Sequence, residues 1–201
     1  MMKFLLGKKI GMTSIIGENG KITPITVVEA GPCVVTAVKT EEKDGYNALQ
    51  VGFEKIKKAN KPKTGHLKKS GEILRHLKEV RLEKIAENQI GDHFDTSLFA
   101  KGDKVKISGL IKGHGFTGPV KRYGFRGHPA GHGHPEQRKV GSIGSRFPQR
   151  TIKGLRMAGR WGGTRKTVIN LEIIDIDKEK NLLLVKGSVP GTNGRMLEIR
   201  G

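Results

Sequence analysis

Between Lys112 and Thr167 the residues able to do chemistry are almost all cations. Lys112, Lys121, Arg122, Arg126, Arg138, Lys139, Arg146, Arg150, Lys153, Arg156, Arg160 and Arg165 recur every few residues without marking out a helical face. These 56 residues hold 13 Lys and Arg, 13 Gly, 4 His and a single acid, Glu136, so the segment carries +12 of the chain's net charge of +19. Arginine outnumbers lysine here, whereas lysine leads in the rest of the chain. A guanidinium grips phosphate through two parallel hydrogen bonds and stacks on bases, which plain solubility does not require. The chemistry such a run can perform is neutralisation of a polyanion with release of its counterions. Tyr123, Phe125, Phe147 and Trp161 lie among the cations, and their rings could stack on unpaired bases. Trp161, hemmed in by Arg160 and two glycines, could equally pack against the rim of the folded body.

Other chemistries fit less well. His114, His128, His132 and His134 suggest a metal site, but zinc sites of this size draw on cysteine or carboxylate partners at regular spacing, and only Glu136 is nearby. They read as donors to phosphate and ribose. Gly113-His114-Gly115-Phe116-Thr117-Gly118 spells the dinucleotide-binding fingerprint, which must open a helix. Pro119 follows at once, and a series of glycines argues against any helix before Glu136. Ser142 and Ser145 have no acid at hand to orient a base. The residues therefore point to no catalytic centre, metal, cofactor or small-molecule substrate.

Something must position this segment, because it cannot do so itself. Only 11 of its residues are large and apolar, and they show no period, so the segment cannot bury a core. The other 145 residues carry 25 Lys and Arg against 18 acids and most of the aliphatic side chains. They read as short strands joined by turns: Phe4–Thr13, loosened by Gly7 and Gly11; Ile22–Glu29, after a turn at Gly17-Glu18-Asn19-Gly20; Val34–Thr40; Tyr46–Phe53; Lys104–Ile107; Val168–Ile176; Leu182–Lys186; and Met196–Ile199. A short helix is expected over Ser70–Leu77, and Glu54–Lys63 reads as a surface loop. The expected fold is mainly β: a small closed antiparallel β-barrel built from residues 1–111 and 168–201, with 54–100 as a loop and short-helix insertion and 112–167 as a long irregular basic extension.

The lone Cys33 reads as a buried, inert thiol. No run is long enough to span a bilayer, and the apolar patch at the start is too short for a signal peptide. Nucleic acid is the expected partner, with an anionic membrane surface the weaker choice. Architectural DNA binding and RNA modification remain as alternatives to RNA binding.

Several co-linear motifs resemble ribosomal protein L-three, the universal large-subunit family. They are Leu6-Gly7-Lys8-Lys9-Ile10-Gly11-Met12-Thr13; Lys112 to Gly118, ending in Val120-Lys121-Arg122; Gly141-Ser142-Ile143-Gly144; Met157-Ala158-Gly159; and Asn181 to Gly191. The resemblance covers the whole chain. It implies a barrel of the translation-protein type on the subunit surface, in the cytoplasmic ribosome, beside neighbouring large-subunit proteins. It also implies a non-enzymatic role: binding large-subunit rRNA early in assembly, with the extension reaching towards the peptidyl transferase centre and its tip near Gly144-Ser145-Arg146-Phe147-Pro148. Ile111 stands where the family often has a hydroxyl residue. Phe147 stands where many bacterial members carry a methylated glutamine, so that modification is not expected here.

Overall fold

The computed structural model describes residues 3–17, 20–83 and 89–201. They form two compact units, one of Met1–Leu110 with Arg165–Gly201 and one of Ile111–Thr164.

The first unit is organised around a closed six-stranded antiparallel barrel. Its strands are β1 (Phe4–Ile16), β2 (Ile22–Ala30), β7 (Lys104–Leu110), β10 (Arg165–Asp177), β11 (Leu182–Lys186) and β12 (Met196–Arg200), hydrogen-bonded in the order β1-β12-β7-β10-β11-β2. Leu5, Val28, Val105, Ile107, Ile173, Leu183, Val185, Leu197 and Ile199 are all at most 1% exposed and belong to one cluster. A side chain of this kind contributes about 1.5–3 kcal/mol on leaving water. Closure also removes the open edges on which another chain could pair. The expected looseness of β1 has two physical forms. The register shifts between Lys9 and Gly11, and a Cβ at Gly7 would lie 2.7 Å from the Glu29 carbonyl oxygen, closer than atoms pack. The turn expected between β1 and β2 has Glu18 and Asn19 outside the described residues; Gly17 N–H donates to the Lys21 carbonyl where the strands meet it.

Two expectations are corrected. Not every strand of the body enters the barrel: β3 (Cys33–Lys39), β4 (Ala48–Lys55), β5 (Leu74–Arg81) and β6 (His93–Phe94) form a separate sheet in the order β5-β4-β3-β6. The helix expected over Ser70–Leu77 is not there. The short helix α1 (Glu41–Asp44) joins β3 to β4, and α2 (Lys61–Leu67) begins inside the stretch read as loop, with Pro62 in its first turn. A 3-10 turn over Lys68–Ser70 follows, and Leu74 and Leu77 then lie in β5. Leu74 packs with Val34 and Leu67, with Leu77 against them, so pairing with β4 and burial overrode the apparent helical spacing. The insertion at 54–100 is thus partly sheet, and Val51, Phe53 and Val80 join the barrel cluster.

Strand β10 also begins three residues earlier than the alternation from Val168 suggests. Arg165, Lys166 and Thr167 pair with Leu110, Gly109 and Ser108 of β7.

Candidate nucleic-acid interface

The second unit, Ile111–Thr164, holds none of the protein's buried large hydrophobic side chains among the described residues. Backbone pairing and ring contacts shape it instead. At its base Ile111 N–H donates to Thr164 O, His114 N–H to Trp161 O and Trp161 N–H to Gly115 O. The paired strands continue as β8 (Phe116–Thr117) against β9 (Gly159–Arg160). Gly162 lets the two sides close: its φ is +74°, and a Cβ would lie 2.1 Å from the Lys112 carbonyl oxygen. The imidazole of His114 stacks on Trp161 with centroids 4.1 Å apart and planes at 21°. One face of Trp161 is therefore taken by His114.

A five-residue helix, α3 (Pro119–Tyr123), follows β8 and ends at Gly124 in the left-handed conformation. This corrects the expectation that Pro119 excludes a helix there, since proline is tolerated in a first turn. The flanking strands β8 and β9 pair antiparallel, whereas the dinucleotide fingerprint serves a parallel βαβ unit. Arg122 turns back to donate to the Met157 carbonyl at 2.8 Å. The guanidinium groups of Arg122 and Arg156 lie 4.9 and 5.8 Å from the Tyr123 ring.

Beyond α3 a loop folds on itself. His128 N–H donates to Gln137 O, the Gln137 amide donates to Ala130 O at 3.1 Å, and His128 stacks on His134 with centroids 3.9 Å apart. His134 Nδ1 accepts the Glu136 N–H at 3.1 Å. Lys139 pairs with Glu136 at 2.9 Å, and that hydrogen bond holds the Glu136 carboxyl below its ordinary range. His132, Lys121, Arg126 and Arg138 are exposed around this region. Residues 141–156 are exposed without a break, Arg146, Phe147, Arg150 and Lys153 among them. Phe147 is 72% exposed, with the Arg146 guanidinium 5.8 Å from its ring.

The unit contains four lysines and seven arginines. Only Lys139 has a carboxylate partner among the described residues. The remaining ten cations present their charge to solvent, to backbone carbonyls or to an aromatic ring, and in a segment with one acid their mutual repulsion favours a bound anion. Lys112, His114, Arg160 and Trp161 come together at the base, and Arg122 and Arg156 at Tyr123. Arg165 is placed elsewhere, on barrel strand β10, where it pairs with Glu198. Phe116 was not among the residues expected from the sequence, yet it is 79% exposed opposite Arg160. The local signal was an aromatic in a glycine run, but only the β8–β9 pairing shows its ring left uncovered.

Comparison with known proteins places these features in context. The family described as Ribosomal protein L3 matches residues 35–182. The large ribosomal subunit protein uL3 of Desulforapulum autotrophicum is 52% identical over 204 residues, covering 100% of this chain and 99% of its own length. The proteins of the same description from Herpetosiphon aurantiacus and Thermosipho africanus are each 48% identical, over 99% of this chain and 96% and 98% of their own lengths.

Proposed function

This chain belongs to the ribosomal protein L3 family, and from that premise we propose that its basic unit is an arm that binds and stabilises large-subunit rRNA. The protein is a structural constituent of the large ribosomal subunit and not an enzyme. In this reading the barrel-bearing body, 1–110 and 165–201, sits among neighbouring large-subunit proteins of the cytoplasmic ribosome. The arm, 111–164, joins rRNA early in assembly and reaches towards the peptidyl transferase centre. No described helix is long and apolar enough to cross a membrane.

The observation that carries this reading is the charge left unanswered in Ile111–Thr164: ten cations without a carboxylate, in a unit with no buried hydrophobic cluster. Phosphates supply the missing partners, and Phe116 and Phe147 offer open rings to unstacked bases. If about ten cations meet phosphates, log affinity falls against log salt with a slope of roughly −7 to −9, between the single-strand and duplex coefficients.

Limited proteolysis with and without large-subunit rRNA tests the proposal. Cleavage at Arg146, Arg150 and Lys153 is expected in the free protein and is suppressed by rRNA. Cleavage at these sites that rRNA leaves unchanged, with binding indifferent to salt, overturns it.

A further inference from the structure

We infer that a cleft in the body is a second RNA site, which takes one nucleotide of the rRNA chain through its phosphate and 2′-hydroxyl; this rests on the rRNA-binding reading above. The cleft has a volume of about 480 Å³ and lies wholly within the unit that carries the barrel. Residues from β1, β5, β7, β10 and the start of β12 line it, so both sheets shape one concavity.

Its charge is unbalanced. Lys8, Arg75, Lys78, Arg165 and Arg195 line it, with only two acids, Glu54 and Glu198. Each carboxylate is shared. Glu54 lies 3.4 Å from both Lys8 and Arg75, and Glu198 contacts Arg165 and stands 3.7 Å from Lys78. Arg200, outside the lining, also draws on Glu198 at 3.7 Å. Arg195 is exposed and has no ion pair among the described residues. Five permanent cations over two carboxylates leave a surplus of three, and a concave wall focuses that field more than an open surface does. The Glu198 side chain is only 10% exposed. That nearly buried carboxylate anchors the Arg165 guanidinium at the wall, with the Lys78 ammonium further off.

The apolar part of the wall decides what kind of anion fits. Phe53, Leu110 and Met196 line the same cleft, and Leu110 is 38% exposed. A bare phosphate makes no use of that surface, whereas the sugar and base edge of a nucleotide cover it. The two carboxylates, acceptors only, suit a ribose 2′-OH as donor, and that group is what separates RNA from DNA.

The test uses the full-length protein. Arg195→Ala combined with Lys78→Gln changes the cleft, and Arg146→Ala combined with Arg150→Ala changes the arm. Binding to a large-subunit rRNA fragment is measured across a salt series, with a DNA copy of the same sequence and with AMP as a competitor. Thermal unfolding confirms that both variants are folded. The cleft variant is expected to bind RNA with a salt slope shallower by about 1 and to bind the DNA copy as the parent does. An RNA slope equal to the parent's, while the arm variant's falls, overturns the cleft and leaves the arm standing. AMP that raises the melting temperature of the parent but not of the cleft variant, with RNA binding unchanged, makes this a free-nucleotide site and also overturns it. A parent protein that binds rRNA without salt dependence sinks the rRNA reading itself, and the cleft with it.

Discussion

The imidazole of His114 and the indole of Trp161 stack 4.1 Å apart, and the His114 N–H donates to the Trp161 carbonyl. One contact thus joins the two chain segments at the base of the basic unit, through both side chain and backbone. Trp161 is the only tryptophan, so its emission reports this base and nothing else in the molecule. His114→Ala is expected to shift the emission of the free protein while leaving the thermal unfolding of the body unchanged. Emission identical to the parent's would mean that the stack is not kept in solution.

Gly162→Ala should open the same base. The added Cβ would lie 2.1 Å from a backbone oxygen at a φ of +74°, a strain of about 1–3 kcal/mol. Faster hydrogen exchange is expected at the Ile111, His114 and Trp161 amides. Gly113→Ala is the control, because its Cβ would meet nothing nearer than 3.9 Å. Equal protection in the two variants would count against this role for Gly162.

Cys33 gives a pH dependence of known sign. The thiol is fully buried beside the Leu6 backbone, with Leu6 N–H to Sγ at 3.3 Å, and burial pushes its pKa up to about 12 from 9.0. The folded state holds this proton more tightly than the unfolded chain, so the stabilisation is complete below pH 9.0 and is lost as pH rises towards about 12. Stability measured by urea unfolding should decline across that window, and Cys33→Ala should flatten the decline. A thiol reagent at mildly alkaline pH should leave the folded protein unmodified and label it once unfolded.

Leu197→Ala removes a fully buried side chain from the barrel, where it covers Gly109. A loss of about 2–5 kcal/mol is expected in chemical denaturation. Leu155→Ala, at an exposed position in the basic unit, should stay within about 0.5 kcal/mol. Comparable losses at both sites would show that the basic unit has a core of its own.

Local residue order was enough to establish the charge map and the β-rich body. These follow from neighbours: glycine and proline punctuation, alternating apolar residues, and thirteen cations gathered around one acid. Tertiary structure decided what depends on distant pairing. Leu74 and Leu77 have the spacing of a helix, yet β4 draws them into a sheet because its backbone groups and the Val34–Leu67 cluster offer more than a helical turn would. Arg165 belongs by composition to the basic run, yet hydrogen bonding to β7 and the carboxylate of Glu198 hold it in the barrel. The stack of His114 on Trp161, the open ring of Phe116 and the cleft that gathers Lys8, Lys78 and Arg195 each join residues far apart in the chain. No local pattern encodes such meetings, because register and barrel closure are set by burying one shared core and not by the order of neighbours along the chain.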